Sequence, residues 1–431
     1  MEIRGKKFLV IGGAGFIGSH LVDQLAQEDV VEIRVFDNFI RGSVENLAEA
    51  LKDPRVRRFE LGGELLHRDI LDAAMKGIDG VFHLAALWLL HCYDFPRSAF
   101  EVNIGGTFNV LEAMLNNGVK RLVYSSSASV YGDAVEEPMT ENHPHNNTNF
   151  YGATKIAGEH MCRSLYHRYR DTDKHFNYVG LRYMNVYGPR QDYHGTYIAV
   201  IMKILDRLDM GLPPIVYGDG SQAYDFIYVG DCARANLCAM KSDVTDSFFN
   251  VGTGIKTTIK ELAELILEVT GSDLKVQYEP GGLTFVKNRV GCPKKAEAEI
   301  NFEAKVQLRN GLKKLIDWRN SHKAEVARRR QEVGIEKAES SQVEYGSPQR
   351  NMLGISRGGH SEGQAKLNGS DSVVRKIPLI KPYITQEVKD KVCDVLDSGY
   401  LTEGDVTREL EQAFRNYAGC EYAIAATSCT T

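Results

Sequence analysis

The amino-acid sequence predicts an α/β fold, a doubly wound parallel sheet with helices on both faces. The first 130 residues alternate short β-rich runs, each ending in Gly, Asp or small polar residues, with helix-like stretches such as IGSHLVDQLAQE (17–28). The four β-rich runs are KFLVIGG (7–13), EIRVFDN (32–38), GVFHLAA (80–86) and RLVYSSS (121–127). Strand, helix, strand in this order implies parallel pairing, with ligands bound at the carboxyl ends of the strands.

The composition favours a soluble protein without a nucleic-acid or membrane partner. The 431 residues, 43% of them hydrophobic, are enough for two or three domains. Charges nearly balance, with 52 basic against 57 acidic residues, so nothing favours nucleic acid or anionic lipid. The eight cysteines form no Cys-x-x-Cys pair, which argues against a metal site or a disulfide framework. No signal peptide precedes the first strand, and no apolar run approaches the roughly 20 residues of a membrane span, so we expect a cytoplasmic protein.

Composition divides the chain into three regions. Residues 1–320 are evenly globular, whereas 321–376 hold few large apolar residues and predict a flexible linker. The basic run at 328–330 could bind phosphate, but we interpret it as the solvated end of a helix. Globular character returns over 377–431, which is short for a domain of its own.

A glycine-rich turn follows the first predicted strand. Gly12, Gly15 and Gly18 give a Gly-x-x-Gly-x-x-Gly pattern between a strand and a helix, as in Rossmann-type dinucleotide-binding domains. Such glycines allow the backbone to approach a pyrophosphate at the helix N-terminus. Asp37, 19 residues beyond Gly18, could bind the adenosine ribose and so favours NAD over NADP, although Arg41 is a nearby cation. The alternative is a structural turn with an incidental aspartate.

The segment 149–169 predicts a helix that places Tyr151 and Lys155 one turn apart. A lysine ammonium close to a phenol lowers a pKa that is normally about 10, which makes the tyrosine a credible general base. Ser127, at the end of the fourth strand, could hydrogen-bond the same substrate oxygen. The alternative is a packed tyrosine beside a solvated lysine.

Several motifs together resemble those of the extended short-chain dehydrogenase/reductases. They are GGAGFIG, HLAA, VNIGGTFNVLEA, YSSSASVYG, YGATK and LRYMNVYGPRQ, in order over about 6–320. The nearest group resembles the nucleotide-sugar epimerases of the UDP-galactose 4-epimerase type. The resemblance identifies Tyr151, Lys155 and Ser127 as the catalytic triad.

The same resemblance implies an NAD-binding domain over 1–184, with some return segments from the later chain, and a smaller α/β substrate-binding lobe mainly over 185–320. The resemblance also implies cofactor contacts along the whole dinucleotide. At the adenosine end these are Asp69 and Ile70 near adenine, Asn38 with Asp37 at the ribose, and Phe16 and Ile17 at the diphosphate. At the nicotinamide end they are Leu84, Ala85 and Ala86 on the path to the ring, Tyr183 and Met184 beside it, and Asn103 as a brace. Asn185 and Arg190 are implied to face the nucleotide-sugar.

The implied function is epimerisation of a UDP-linked hexose, N-acetylhexosamine or uronic acid at C4. NAD is expected to stay tightly bound, and the resemblance implies a homodimer. Where the related 4,6-dehydratases carry an acidic pair and the decarboxylases a glutamate, this chain has Ala128 and Ser129, which argues against both reactions. Two alternatives remain: a net NAD(H)-dependent oxidoreductase that feeds an aminotransferase, and a dinucleotide-sensing binding protein without turnover.

This chain differs from the family pattern at positions that are expected to contact the substrate. Tyr224 stands where an arginine often meets the substrate diphosphate, and Cys292 where an aspartate is usual. Arg289 is a candidate diphosphate ligand, although a plain surface arginine is an equal alternative. Trp88, in a bulky stretch after HLAA, shapes the sugar site or packs in the core.

The segment 377–431 resembles the opening of the DegT/DnrJ/EryC/StrS sugar aminotransferases, in which SGYLTEG follows the first helix. The Schiff-base lysine lies later in that family, so we expect a truncated aminotransferase-like segment that binds no pyridoxal phosphate.

Overall fold

The structure is a computed structural model that describes residues 1–191, 200–280 and 286–332, together with 411–413 and 415–416. The chain forms two compact units, Met1–Tyr345 and Gly346–Thr431. In the second unit the described residues are helical. The rest of the predicted aminotransferase-like segment lies outside the described residues.

The strands of the described residues are β1 (Lys7–Ile11), β2 (Glu32–Phe36), β3 (Val56–Arg58), β4 (Gly80–His83), β5 (Arg121–Ser127), β6 (Asn177–Tyr183), β7 (Asn185–Tyr187), β8 (Ile215–Tyr217), β9 (Ala223–Tyr224), β10 (Phe226–Tyr228), β11 (Ser247–Val251), β12 (Thr257–Thr258), β13 (Gln277–Glu279) and β14 (Asn288–Arg289). The helices of the first unit are α1 (Phe16–Leu25), α2 (Arg68–Met75), α3 (Leu89–Asp94), α4 (Pro96–Ala99), α5 (Thr107–Asn117), α6 (Phe150–Tyr169), α7 (Val200–Asp209), α8 (Val229–Lys241), α9 (Ile259–Thr270), α10 (Lys294–Ile300), α11 (Leu308–Ser321) and α12 (Lys323–Glu332). A π-helical segment, Phe100–Gly106, runs directly into α5.

Seven parallel strands form the central sheet, in the order β11-β6-β5-β4-β1-β2-β3. Helices cover both faces, because alternate residues of each buried strand point to opposite sides. In β1, Phe8 and Val10 belong to one hydrophobic cluster, and Leu9 and Ile11 to the other. The predicted doubly wound, Rossmann-type sheet is confirmed.

The later chain builds a smaller lobe and also returns to the main sheet. Short pairs and triplets of strands, such as β7 with β10, form this lobe together with α7, α9 and α11. Their apolar side chains make a third cluster that includes Ile204, Ile266 and Leu315. In contrast, β11 pairs with β6, so part of the segment 185–320 completes the dinucleotide-binding sheet.

The predicted linker does not begin at residue 321. Helix α12 occupies Lys323–Glu332, and its Val326 and Arg329 are only 4% and 7% exposed. The basic run therefore contains a buried arginine, not only a solvated helix end. The remainder of 321–376 lies outside the described residues.

Among the described residues, no helix combines the length and the apolar character needed to cross a bilayer. The same residues contain no cluster of three or more His, Cys, Asp or Glu side chains that could hold a metal ion.

Candidate active site

A cavity of about 450 Å³ lies at the carboxyl ends of the central strands. Its wall combines the turn after β1, the loops after β2 and β4, the ends of β5 and β6, and the first two turns of α6. This is the edge at which parallel α/β sheets bind their ligands.

The turn after β1 has room only for glycine at two positions. Gly12 has a φ of +80°, and a Cβ there would lie 2.7 Å from the backbone nitrogen of Ala85. A Cβ on Gly18 would overlap the carbonyl oxygen of Gly12. These two glycines bring the start of α1 against the cavity, where Gly15, Phe16 and Ile17 also form the wall. Backbone N–H groups at such a helix start suit a diphosphate.

Asp37 follows β2 beside this turn. Its carboxylate accepts hydrogen bonds from the backbone nitrogens of Ala14 and Phe39, both at 2.8 Å. Burial raises the pKa of this carboxyl group. A carboxylate offers about four lone-pair sites, so Asp37 can still accept from ribose hydroxyls. Asn38 also lines the cavity and donates to Glu64 Oε2 at 3.0 Å.

Asp69 and Ile70 are not among the residues that line the cavity, and their contact with adenine stays a prediction. They stand in the first turn of α2, where Asp69 is exposed. Gly63, Glu64 and Leu65 do line the cavity. A Cβ on Gly63 would overlap the Asp37 carbonyl, so the backbone at Gly63 packs against that of Asp37 more closely than a side chain would allow.

Asn103 braces the far end of the cavity from the π-helical segment. Its Oδ1 accepts from the backbone nitrogen of Leu87 at 2.7 Å, and its Nδ2 donates to the Leu87 carbonyl at 3.0 Å and to Thr154 Oγ1 at 3.1 Å. It therefore ties the loop after β4, which places Leu84, Ala85 and Ala86 in the wall, to helix α6.

Helix α6 and strand β5 bring the predicted triad together. The helix begins after Asn149, whose side chain accepts from the backbone nitrogen of Gly152 at 2.8 Å. This cap places Tyr151 in the first turn, near enough to Ser127 for the serine side chain to favour the phenolate. Lys155 lies one turn later, and its Nζ is 5.7 Å from the Tyr151 ring centroid. Both Tyr151 and Lys155 line the cavity.

The sequence predicted a lowered pKa for the Tyr151 phenol, whereas the structure raises it. Burial raises the pKa of Tyr151 to about 12, although the nearby Ser127 side chain opposes this shift. Burial also lowers the pKa of Lys155 to about 8, and its Nζ donates to the Ser125 carbonyl at 2.8 Å. The protein alone therefore keeps the phenol protonated. A cation bound against the ring would favour the phenolate.

A buried polar network lies beneath the triad. Ser126, in the cavity wall, donates to Glu159 Oε1 at 2.6 Å, and Arg182 pairs with Glu159 Oε2 at 2.7 Å. Glu159 stands one turn after Lys155 on α6, so this network fixes the helix against β5 and β6. The sequence reasoning did not identify it. The glutamate four residues after Lys155 is the sequence feature that points to it.

On the substrate side, Trp88 is half-buried in the cavity wall and does not pack in the core. The guanidinium of Arg41, another wall residue that we did not assign to the site, lies 3.8 Å from its ring centroid. Arg289 stands opposite Tyr224 in the pairing of β14 with β9. Burial lowers the pKa of Arg289, and its Nε has no hydrogen-bond partner among the described residues. A buried donor of this kind is suited to an anionic ligand.

Besides Asp69 and Ile70, seven predicted residues are not among those that line the cavity, namely Asn103, Ser127, Met184, Asn185, Arg190, Tyr224 and Arg289. Arg190 forms an ion pair with Asp23 of α1 at 2.7 Å, so its guanidinium faces that helix. Met184 is buried in the hydrophobic cluster behind the site, and Asn185 pairs with β10. In contrast, Tyr183 lines the cavity, and its hydroxyl lies 3.0 Å from Ser125 Oγ.

The comparisons with known proteins agree with this geometry. Residues 8–252 match the model of the NAD dependent epimerase/dehydratase family. UDP-glucose 4-epimerase of Mycolicibacterium smegmatis is 32% identical over 321 residues, which cover 72% of this chain and 97% of that protein. UDP-glucuronic acid decarboxylase 1 of Arabidopsis thaliana is 31% identical over 324 residues, or 73% of this chain and 70% of that protein.

A solved structure is also similar to this chain. UDP-N-acetylglucosamine 4-epimerase from Methanobrevibacter ruminantium M1, in complex with UDP-N-acetylmuramic acid, has a TM-score of 0.69 and 33% identity, covering 74% of this chain and 99% of that chain. Residues 382–431 match the DegT/DnrJ/EryC1/StrS aminotransferase family, which confirms the second resemblance. With the family match over more than half of its length and the sheet and cavity described above, the chain belongs to the NAD-dependent epimerase/dehydratase family of nucleotide-sugar enzymes, and NAD is its cofactor.

Proposed function

We propose that this protein is an NAD-dependent epimerase that inverts C4 of a UDP-linked hexose, N-acetylhexosamine or hexuronic acid. The position of Tyr151 in the cavity wall carries the proposal, because the nearby Ser127 is followed by Ala128 and Ser129. Elimination of a hydroxyl needs an acid and a base beyond the tyrosine. Neither a methyl nor a hydroxyl side chain meets that need, which favours oxidation and re-reduction at one carbon.

Different residues would bind the cofactor and act on the sugar. The turn at 12–18, Asp37 and the loop after β4 would hold the dinucleotide. NAD supplies a hydride acceptor that can return the hydride to the same carbon. Tyr151 takes the proton of the C4 hydroxyl and gives it back, while Ser127 hydrogen-bonds that oxygen and Lys155 sets the charge beside the phenol. Holding these groups against one carbon lowers the barrier mainly through proximity and preorganisation.

Arg289 is our candidate ligand for the substrate diphosphate. Its buried Nε has no partner among the described residues, and the neighbouring Tyr224 donates its hydroxyl to the Val286 carbonyl at 2.8 Å. A guanidinium is well suited to bidentate binding of phosphate oxygens. The UDP moiety is proposed because the named relatives act on UDP-sugars.

The match of residues 382–431 to an aminotransferase family favours a second candidate, a net oxidoreductase that makes a 4-keto sugar for amination. Such an enzyme needs exchangeable NAD(H), whereas an epimerase regenerates its cofactor in every turnover. The two candidates therefore differ in their requirement for added cofactor.

We also propose that the protein forms a homodimer through the face around α3, α5 and α6. Four phenylalanines on this part of the chain are exposed, namely Phe95 (57%), Phe100 (48%), Phe108 (40%) and Phe150 (38%). Exposed aromatic side chains on elements that contact one another are typical of an interface. Light scattering should give a dimer mass that Phe108→Glu lowers and that Tyr217→Glu, on the exposed strand β8, leaves unchanged. A monomeric wild-type protein would contradict the dimer.

The reaction is tested by NMR of the purified full chain with a panel of UDP-sugars and no added NAD. We expect axial–equatorial exchange at C4 without a keto product, and no exchange with Tyr151→Phe. A keto sugar that appears only with stoichiometric NAD would establish the oxidoreductase instead. A pentose product would establish decarboxylation and contradict the proposal.

A further inference from the structure

Helix α12 follows the segment of about 6–320 that resembles the family, and we call the chain from Lys323 onward the C-terminal extension. The helix lies within the first unit of the structure. Its Val326 is 4% exposed and joins the hydrophobic cluster that contains Leu312 and Leu315 of α11. The helix is therefore part of the folded unit.

The side chain of Arg329 leaves α12 toward the cofactor site and is 7% exposed. Its NH2 donates to Asn46 Oδ1 at 2.8 Å, its NH1 donates to the backbone carbonyl of Arg190 at 3.2 Å, and it pairs with Glu325 on its own helix. One guanidinium thus joins three segments that are far apart in sequence.

Asn46 extends this connection to the dinucleotide-binding turn. Its Nδ2 donates to the Ala14 carbonyl at 2.8 Å in a fully buried contact. Ala14 stands between Gly12 and Gly15, and its backbone nitrogen donates to Asp37. The chain from Arg329 through Asn46 to Ala14 therefore fixes the turn from behind, on the side away from the cavity.

The second contact of Arg329 fixes another part of the wall. The Arg190 carbonyl precedes Gln191, which lines the cavity, and Arg190 itself has a φ of +65°. Such a backbone conformation is costly for a residue other than glycine and needs support from its surroundings. Arg329 supplies part of that support.

We infer that Arg329 is a positioning residue for NAD, through which the C-terminal extension sets the affinity of the cofactor site. Removing its guanidinium would leave the Asn46 and Arg190 oxygens without their charged donor and loosen both segments. A smaller fraction of the unbound protein would then hold these two segments in the arrangement that binds NAD. The apparent affinity for NAD would fall in proportion to that fraction. This inference rests on NAD binding and is independent of whether the sugar is epimerised.

The test uses the full-length protein stripped of cofactor and titrated with NAD by calorimetry. For Arg329→Met we expect the Kd for NAD to rise about tenfold, with kcat at saturating NAD close to that of the wild type. The matched control is Arg328→Met, because Arg328 is 48% exposed and pairs with the equally exposed Glu45. This control should bind NAD as the wild type does.

Two further variants separate positioning from general damage. Arg329→Lys keeps the charge but cannot span both acceptors, so its affinity should lie between those of the wild type and Arg329→Met; it also serves if the methionine variant does not fold. Asn46→Ala combined with Arg329→Met should weaken binding no more than the stronger single variant. Wild-type NAD affinity in folded Arg329→Met or Arg329→Lys, or fully additive losses in the double variant, would overturn the inference.

Discussion

The cofactor half and the substrate half of the cavity are built in different ways. The cofactor half comes from one short stretch, 12–86, and depends on backbone approach, as Gly12, Gly18 and Gly63 show. The side chains that we propose for the substrate, Trp88 and Arg289, come from segments that are far apart in the sequence. Where the backbone must approach another group closely, only a few residue types fit, and the sequence therefore shows a clear pattern. A side-chain requirement depends on which segments the fold brings together.

The largest effect is expected where the two halves meet, at Tyr151. Tyr151→Phe removes the proton-transferring hydroxyl but keeps the ring, so turnover should fall by about 10³ while the NAD content stays unchanged. Activity and bound NAD are measured on the same preparation. Loss of NAD from this variant would show that the hydroxyl serves the cofactor half instead.

Gly18→Ala tests whether the cofactor half depends on the backbone. A methyl group here would overlap the Gly12 carbonyl oxygen, so we expect NAD affinity to fall about 100-fold. Gly77→Ala is the matched control: it also places alanine at a glycine site, but nothing lies within 4 Å of the added carbon. The control should lose only about 1 kcal/mol of stability and keep its NAD. Retained NAD in Gly18→Ala would contradict the backbone account.

Lys155 gives a prediction about stability and pH. Its pKa falls from 10.5 to about 8 on burial, so between these pH values the native state binds fewer protons than the unfolded chain. The free energy of unfolding therefore rises with pH across this window. Relative to Lys155→Met, which cannot titrate, the wild type should gain up to about 3 kcal/mol.

Denaturant titrations at several pH values from 7.5 to 10 measure this difference. The range stops at 10 because the raised pKa of Tyr151, about 12, acts with the opposite sign above it. A constant difference between the two proteins would mean that Lys155 is not buried as a cation near neutral pH.

Variants of Arg289 and Arg190 test which of these two arginines binds the nucleotide-sugar. Arg289→Met should raise the KM for the UDP-sugar about tenfold, because it removes the guanidinium whose buried Nε has no partner among the described residues. Arg190→Met should leave KM unchanged, because its guanidinium pairs with Asp23. Steady-state kinetics on both variants measure the contrast. The reverse ranking would restore the prediction from sequence and place Arg190 at the nucleotide-sugar.

Local patterns were enough to predict much of this molecule. The four first strands, the glycine turn, Asp37 and the Tyr151–Lys155 pair are defined by short spacings, and the structure places them around one cavity. The doubly wound parallel sheet also followed, since strands that alternate with helices pair in parallel.

The failures have physical causes that a single sequence does not display. Glu64 lines the cavity beside Gly63, whose close approach to the backbone of Asp37 is not marked by any local motif. Segment 321–332 is highly charged and resembles a linker. Its helix nevertheless folds onto the protein, because Val326 and the guanidinium of Arg329 find buried partners in distant segments.

The central claim is that one carbon is oxidised and reduced again by a retained cofactor. The most direct test is to incubate the purified protein, without added NAD, with a UDP-hexose that carries deuterium at C4. We predict that both C4 epimers form and that each keeps the deuterium at C4. Label lost from C4, or found in free NADH beside a keto sugar, would contradict the account.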